Sequence, residues 1–536
     1  MSSAHQEPAI RIFDNPLLIA QAQRQLRKKQ LTMSLFITIA FATVVILTCL
    51  QLSKTSLTFS GSQQSSSVWL GGQSCLYFMI LISLYWRGAN ALVHAVSEER
   101  KSGIFTFLRS TPLSPYSLTL GYTIGVNIRG YCVAGVLAPF WIGCSVAAGV
   151  DAPNAILSYL YILLGAFTLH SLVLAFALHT SGRTQRWGSS LFILGLWFLA
   201  APFAAAGLHT LSHITPLPVL ASLAGDAQVF NLRSSPVSLF GITLGSELYT
   251  LLVQGLIISI SFWISSRRME RDDQAVMSRS GALLVMMIIG LFAIGCDLSP
   301  GQRSALISPQ SLTFSVMMTQ LLCLVLSCYI ILISAPSRLG FIRAARRLRY
   351  SSKGGDVIIP WRSEGGSLLP LTFALIGVSV GLIALFLIIY GEDQTALSKM
   401  IVHVDMLTMI ASSGLFVLFF SSVCEFIKSH AHQLNQSLAI FTVLVVFFLL
   451  PLILALIFKE PTLYVVSPVY TLVYGFCALG SMFTPMAQAL YSKGIIDSSY
   501  NFISLAITVG VTIFAYLSSY RVRSKSLETQ TVGDGD

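Results

Sequence analysis

Charge is what this sequence has least of. Only 10% of its 536 residues are Asp, Glu, Lys or Arg, against 54% hydrophobic, whereas soluble domains carry about 25% charge to keep their surfaces hydrated. That scarcity excludes an ordinary soluble fold and makes lipid the main solvent. Metal-site spacing is missing too. The nine cysteines lie mostly inside apolar stretches (Cys49, Cys75, Cys132, Cys323, Cys328), without a repeated CxxC or histidines at zinc distance, and read as small core residues. A phosphate loop needs Gly-Lys followed by Ser or Thr. The four lysines followed by Ser or Thr (Lys54, Lys101, Lys428, Lys525) all lack the preceding Gly, so ATP and magnesium have no such site in this chain. No HExxH occurs. A cleavable signal is not expected either, because thirty mostly polar residues precede the first apolar run.

What is present is apolar length. A helix needs about 20 apolar residues to cross a bilayer core, and lipid-facing backbone must bond within its own helix. Runs broken at charges, Gly, Pro and Ser give candidate spans near 31–52, 69–93, 124–148, 155–178, 191–208 and 244–265. A second set lies near 281–296, 312–334, 368–390, 407–427, 437–458 and 500–519. The expected fold is therefore all-α: a polytopic membrane protein of twelve transmembrane helices.

Basic residues orient it, since Lys and Arg beside spans tend to stay cytoplasmic. With the N-terminus inside, inner segments hold 25 basic residues and outer segments six, Lys54, Arg233, Arg303, Lys399, Lys459 and Lys493. Both termini are thus expected in the cytoplasm. The net charge of +11 flanks apolar segments instead of gathering in a soluble domain, which points to membrane lipids and not to nucleic acid.

Each set of six follows one rhythm: a pair of spans, a linker, three close spans, a long outer loop and a last span ending in basic residues. Thr215-Pro216-Leu217 and Ser467-Pro468-Val469 stand 252 residues apart at matching places. Two parallel repeats are expected. The modules run over 31–266 and 280–520, with cytoplasmic segments at 1–30, 267–279 and 521–536.

Two short segments carry the functional signal. Asn15-Pro16-Leu17-Leu18, trailed by Arg24, Arg27, Lys28 and Lys29, reads as an amphipathic interfacial helix capped by Asn15, with Pro16 at its first position. After the second span, Ser97 to Pro115 mixes charge with apolar bulk. Ile104, Phe107 and Leu108 fall at i, i+3 and i+4 and predict one apolar helix face, ended by Pro112 and Pro115. Such a face needs a cover, from lipid headgroups, the bundle or a soluble partner.

This linker resembles that of the ABC type-2 exporter permease family, which carries a pattern close to E-R-x-x-G-T-x-E-x-L-x-x-T-P-L-S followed by Gly-Lys. Glu99, Arg100, Gly103, Leu108, Thr111, Pro112, Leu113, Ser114 and Gly121 match, while Ile104, Thr106 and Tyr122 depart where Thr, Glu and Lys are usual. The Asn15-Pro16 segment is similar to the connecting helix found before span one in that family. In the second half only the spacing agrees: the linker 337–366 has seven basic residues but no Thr-Pro-Leu-Ser. The resemblance implies a permease subunit of the cell inner membrane in which Glu98 to Ser114 forms a coupling helix seated on a separate ATP-binding cassette subunit. That partner would hold ATP and magnesium.

Other readings stay open. A secondary transporter also commonly has twelve spans and repeats, although Glu247, Asp405 and Glu425 lie at span edges. A non-transporting assembly or regulatory subunit would keep the same patterns. A membrane-embedded enzyme would need convergent polar groups at one depth, and none stands out. Arg87 and Arg129 are intramembrane charges near cytoplasmic ends, read as snorkelling. His170 reads as packing, His430 with His432 as a weak metal pair, and Gly377 with Gly381 as a close helix contact.

Overall fold

The computed structural model describes residues 15–59, 62–179, 212–223, 237–240, 242–270, 278–296, 366–390, 404–430 and 498–533, with scattered positions between 319 and 342. The chain divides into two compact units, Met1–Val237 with Thr243–Asp272, and Ser238–Ile242 with Asp273–Asp536. Among the described residues the protein is almost wholly helical, with one two-stranded hairpin, Val237–Leu239 and Ile242–Leu244.

In the first unit a short helix α1 (Pro16–Gln25) precedes α2 (Lys28–Phe59). Next come α3 (Ser62–Ile80), a π-helical turn π1 (Leu81–Trp86) and α4 (Arg87–Lys101), which continue one another as a single rod. Two short helices follow, α5 (Ile104–Ser110) and α6 (Pro115–Leu120), then a second π turn, π2 (Gly121–Gly125). The long α7 (Ile128–Ala147), α8 (Ala152–His179), the short α9 (Leu217–Leu223) and α10 (Ser246–Glu270) complete the unit. The second unit contributes α11 (Arg279–Cys296), α12 (Leu369–Tyr390), α13 (Val404–His430) and α14 (Ser498–Gly533).

Seven helices among the described residues are long and apolar enough to cross a membrane: Gln30–Lys54, Ser67–Lys101, Ile128–Ala147, Ala152–Leu178, Ser246–Glu270, Met409–Ile427 and Ser504–Val522. Arg279–Gly295 and Leu369–Leu385 are shorter apolar helices. The expected spans 191–208 and 437–458, and most of 312–334, lie outside the described residues. This is a multi-pass helical membrane protein.

Its exposed surface is what lipid demands. On α2, Met33, Phe36, Val44 and Leu47 are exposed. The first unit's core gathers Leu76, Ile80, Leu84, Leu92, Leu137 and Ile162, all fully buried, between α3, α4, α7 and α8. Because lipid tails are as apolar as these side chains, close packing and interhelical hydrogen bonds must hold the bundle. Tyr85 supplies one such bond, donating to the Ile162 carbonyl at 2.5 Å. In the second unit Ser421 of α13 accepts from Thr372 of α12 at 2.7 Å and from Tyr516 of α14 at 2.9 Å. Glu425 accepts from the Leu368 amide at 3.1 Å, satisfying a donor at the start of α12 that the helix itself leaves open.

The segment expected as one coupling helix over Glu98 to Ser114 is divided: the rod stops at Lys101, and Gly103 adopts φ +76° before α5 starts. A left-handed residue turns the chain there at no steric cost only if it lacks Cβ. Among the described residues nothing lies within 4 Å of a Cβ built at Gly377 or Gly381, so none of the described helices packs closely on that spacing. Arg129 reaches towards the start of α2, as expected for a snorkelling charge: its Nε and Nη2 donate to Ser34 Oγ at 3.1 and 2.8 Å, and Nη2 also donates to the Gln30 carbonyl at 2.8 Å.

Candidate functional site

The two sequence signals meet in space. Asn15 caps α1, its Oδ1 accepting from the Leu17 and Leu18 amides at 3.1 and 3.4 Å. Its Nδ2 donates to the Ser117 carbonyl of α6 at 2.6 Å. Pro16 follows at the first helical position, where its missing N–H costs nothing. One side of α1 then lies on π2. A Cβ built on Gly121 would come within 3.1 Å of Leu17, and one on Gly125 within 3.0 Å of Gln21 and 3.2 Å of the Leu18 carbonyl. Glycine at both positions permits that approach.

Glu99 is the centre of the site. It is 4% exposed near the end of α4 and accepts from Gln21 Nε2 at 2.6 Å and from the Tyr122 hydroxyl. Arg24 lies 3.9 Å from it and 3.7 Å from Glu98. Arg24, expected among headgroups, thus turns to carboxylates. Burial, reinforced by the Glu99 carboxylate, holds the Tyr122 phenol far above its ordinary range, so Tyr122 remains a donor. Position 122, where the resembled pattern has Lys, still offers Glu99 a proton.

α5 sits on this platform. Phe105 is 3% exposed and stacks on Tyr122 with ring centroids 5.6 Å apart. Arg109 lies over the Phe105 ring at 5.2 Å and donates from Nε and Nη2 to the carbonyls of Met269 and Arg268, each at 3.1 Å. Those carbonyls belong to the last turn of α10, where a cation is favoured. Arg100 donates to the Leu178 carbonyl near the end of α8 at 2.9 Å. Thr111 closes α5 onto the Leu108 carbonyl at 2.5 Å, and Ser114 caps α6 by accepting from the Ser117 amide at 3.2 Å.

The remaining predicted residues point outward. Ile104 is 45% and Phe107 67% exposed, and Tyr116 of α6 is 49% exposed. Leu108 and Leu113 are partly buried against the core, while Pro112 and Gly103 are exposed. The apolar face therefore divides: Phe105 and Leu108 anchor α5, and Ile104 and Phe107 stay uncovered. Arg27 is exposed, its carbonyl accepting from the Gln30 and Leu31 amides at the start of α2. The second linker, with Leu348 and Trp361, lies outside the described residues.

Sequence reading missed Gln21, Phe105, Arg109 and the role of Tyr122. Only Gln21 left a trace, four residues after Leu17 on one helix face. Residues 377–381, Gly-Val-Ser-Val-Gly, have the G-x-S-x-G form, which escaped the sequence reading. They lie inside α12 and not at a strand-to-helix turn, and Ser379 donates to Gln320 at 2.9 Å. His170 behaves as packing, with Nε2 against the Leu84 carbonyl at 3.0 Å and Nδ1 against the Tyr131 hydroxyl at 3.1 Å. Among the described residues no three His, Cys, Asp or Glu side chains gather as a metal site.

Comparison with known proteins adds no family: no family model, no curated protein and no solved structure matches the chain.

Proposed function

We propose that this chain is the membrane-spanning permease subunit of an ATP-driven exporter, and that α5 is the knob by which a separate ATP-binding cassette subunit grips it. The observation that carries the reading is the pairing of exposure with rigidity. Ile104 and Phe107 stand uncovered on α5, while Phe105, Arg109 and Glu99 fix the ground beneath to α1, α4, π2 and the end of α10. An apolar tip on a loose loop would lose its binding energy to ordering, whereas a pre-ordered one keeps it. Load on α5 would pass through Arg109 to α10 and through Glu99 to α1 and the α3–α4 rod, so closure of the partner would become tilt of spans.

The two six-span halves would enclose the path in this reading, both termini would be cytoplasmic, and ATP and magnesium would sit on the partner. The secondary-transporter reading draws less support. Glu247 accepts from Ser222 at 2.7 Å, and Glu425 accepts from the Leu368 amide, so both carboxylates serve as local acceptors near helix starts. Co-purification tests the assignment: the tagged chain should carry an ATPase subunit out of its native membrane, and the pair should move substrate in sealed vesicles only with ATP. An isolated chain that drives uptake down a proton or sodium gradient would overturn it.

A further inference from the structure

A basic pocket lies where α1, the π1–α4 junction and the break before α7 come together. Arg87, Arg129, Asn127, Gly88 and Gln25 line one pocket of about 30 Å³. Three observations converge on it. First, it holds two guanidinium-bearing residues but no carboxylate. Arg129 is committed through Nε and Nη2 to Ser34 and Gln30; Arg87 is exposed and makes no hydrogen bond or ion pair among the described residues. Second, the helical path breaks at Val126–Asn127, so α7 begins at Ile128 without a side-chain cap. The positive end of a 20-residue helix therefore opens at Arg129 and Gly130 on the pocket wall, as half-helices do where they meet anions. Third, Asn127 is 2% exposed and its Oδ1 has no partner, its Nδ2 being turned back to the Thr123 carbonyl at 3.0 Å. A Cβ on Gly88 would lie 2.6 Å from His170 Nε2 and 3.1 Å from that oxygen, so only glycine lets His170 and Asn127 pack this close to the rod.

We infer that this pocket binds the headgroup of an anionic phospholipid. The phosphate diester sits against Arg87, Arg129 and the first turn of α7, and a headgroup hydroxyl enters the pocket and donates to Asn127 Oδ1. Phosphate suits two arginines because guanidinium donors match its oxygens pairwise, and the hydroxyl supplies the one donor the buried acceptor lacks. The lipid-facing position favours a tethered phosphate over a free one: Arg87 lies on a membrane-spanning rod, next to Trp86, which is 38% exposed. Basic pockets between helices near a membrane surface take such headgroups, and interfacial tryptophan is a common neighbour of that level. A lipid seated there would brace α1 against the rod, because Gln25 of α1 forms part of the same wall.

The test uses the full chain in neutral detergent, where no charged surface attracts lipid non-specifically. Native mass spectrometry would count bound phosphatidylglycerol and phosphatidylcholine, with and without inorganic phosphate. One or more phosphatidylglycerol molecules should be retained in preference to phosphatidylcholine, and inorganic phosphate at equal concentration should not displace them. Arg87→Gln should weaken retention by at least about tenfold, as expected for one lost charge-assisted hydrogen bond, and Arg87→Gln with Arg129→Gln should abolish it. Lys101→Gln, which removes an equal charge from an exposed site, should leave retention unchanged. Because Arg129 also ties α7 to α2, Arg87→Gln alone is the decisive variant. Equal retention of the two lipids, unchanged retention in Arg87→Gln, or an equal loss in Lys101→Gln would each overturn the site. Ready displacement by inorganic phosphate would overturn the lipid as its ligand.

Discussion

Gln21 Nε2 donates to Glu99 Oε1 at 2.6 Å across 78 residues of sequence, joining the helix before the first span to the end of the second. The bond is buried, and the same carboxylate accepts from Tyr122. One carboxylate thus satisfies two donors from two other elements, and its loss strands both.

Replacing Glu99 with Ala should accordingly lower stability by about 2 to 4 kcal/mol, the range for leaving buried donors unpaired. Thermal unfolding of the purified chain in detergent would show it as an earlier transition. Tyr122→Phe should cost less, because Gln21 and Arg24 still meet the carboxylate and the ring still stacks on Phe105. An unchanged transition in Glu99→Ala would remove Glu99 from the centre of the site.

Phe107→Asp separates docking from folding. The side chain is 67% exposed and lies between helices that cross the membrane, so abundance and insertion should be normal. Placing a carboxylate against an apolar groove should weaken ATPase retention by about 2 to 4 kcal/mol, the scale of a lost interface hot spot. Phe105→Asp should instead fail at folding, since Phe105 is buried on Tyr122. Full ATPase retention by Phe107→Asp would sink the docking role of α5.

Arg109→Gln should uncouple without releasing. The variant keeps Ile104 and Phe107 but loses the charged fork that reaches the Met269 and Arg268 carbonyls. The ATPase should still co-purify and hydrolyse ATP, while transport in vesicles falls by more than about tenfold. Coupled transport at the native rate would show that load does not travel through α10.

Gly103→Ala isolates backbone geometry. Nothing lies within 4 Å of the added Cβ, so any effect comes from holding a non-glycine residue at φ +76°, about 1 to 2 kcal/mol. Gly103→Asn should cost less than Ala, because Asn tolerates that region better. Equal behaviour of the two would argue that α5 redirects itself.

Cysteine labelling checks orientation. Probes at Ser102, which is exposed, and at Arg186 and Ser351 should react only after permeabilisation, and those at Ser65 and Ser222 from outside. External labelling at 102 in intact cells would invert the arrangement.

Membrane class, the approximate helices and the Asn15 cap were legible in the sequence because each rests on local chemistry. Apolar length, breaks at Gly and Pro, and an Asn-Pro pair act over one helix or one turn. Span edges moved by several residues where the helix outlasts its apolar run: the α3–α4 rod runs on to Lys101, since polar residues extend a helix as readily once it leaves lipid. What only the tertiary structure decided was which residues of the linker face in. Periodicity grouped Ile104, Phe107 and Leu108, yet Phe105 and Leu108 became the anchors because Tyr122 and the end of α10 lie on that side. Glu99, Arg109 and Asn127 owe their roles to neighbours distant in the chain, and a hydrogen bond between residues 78 or 160 positions apart leaves no periodic trace in a single sequence.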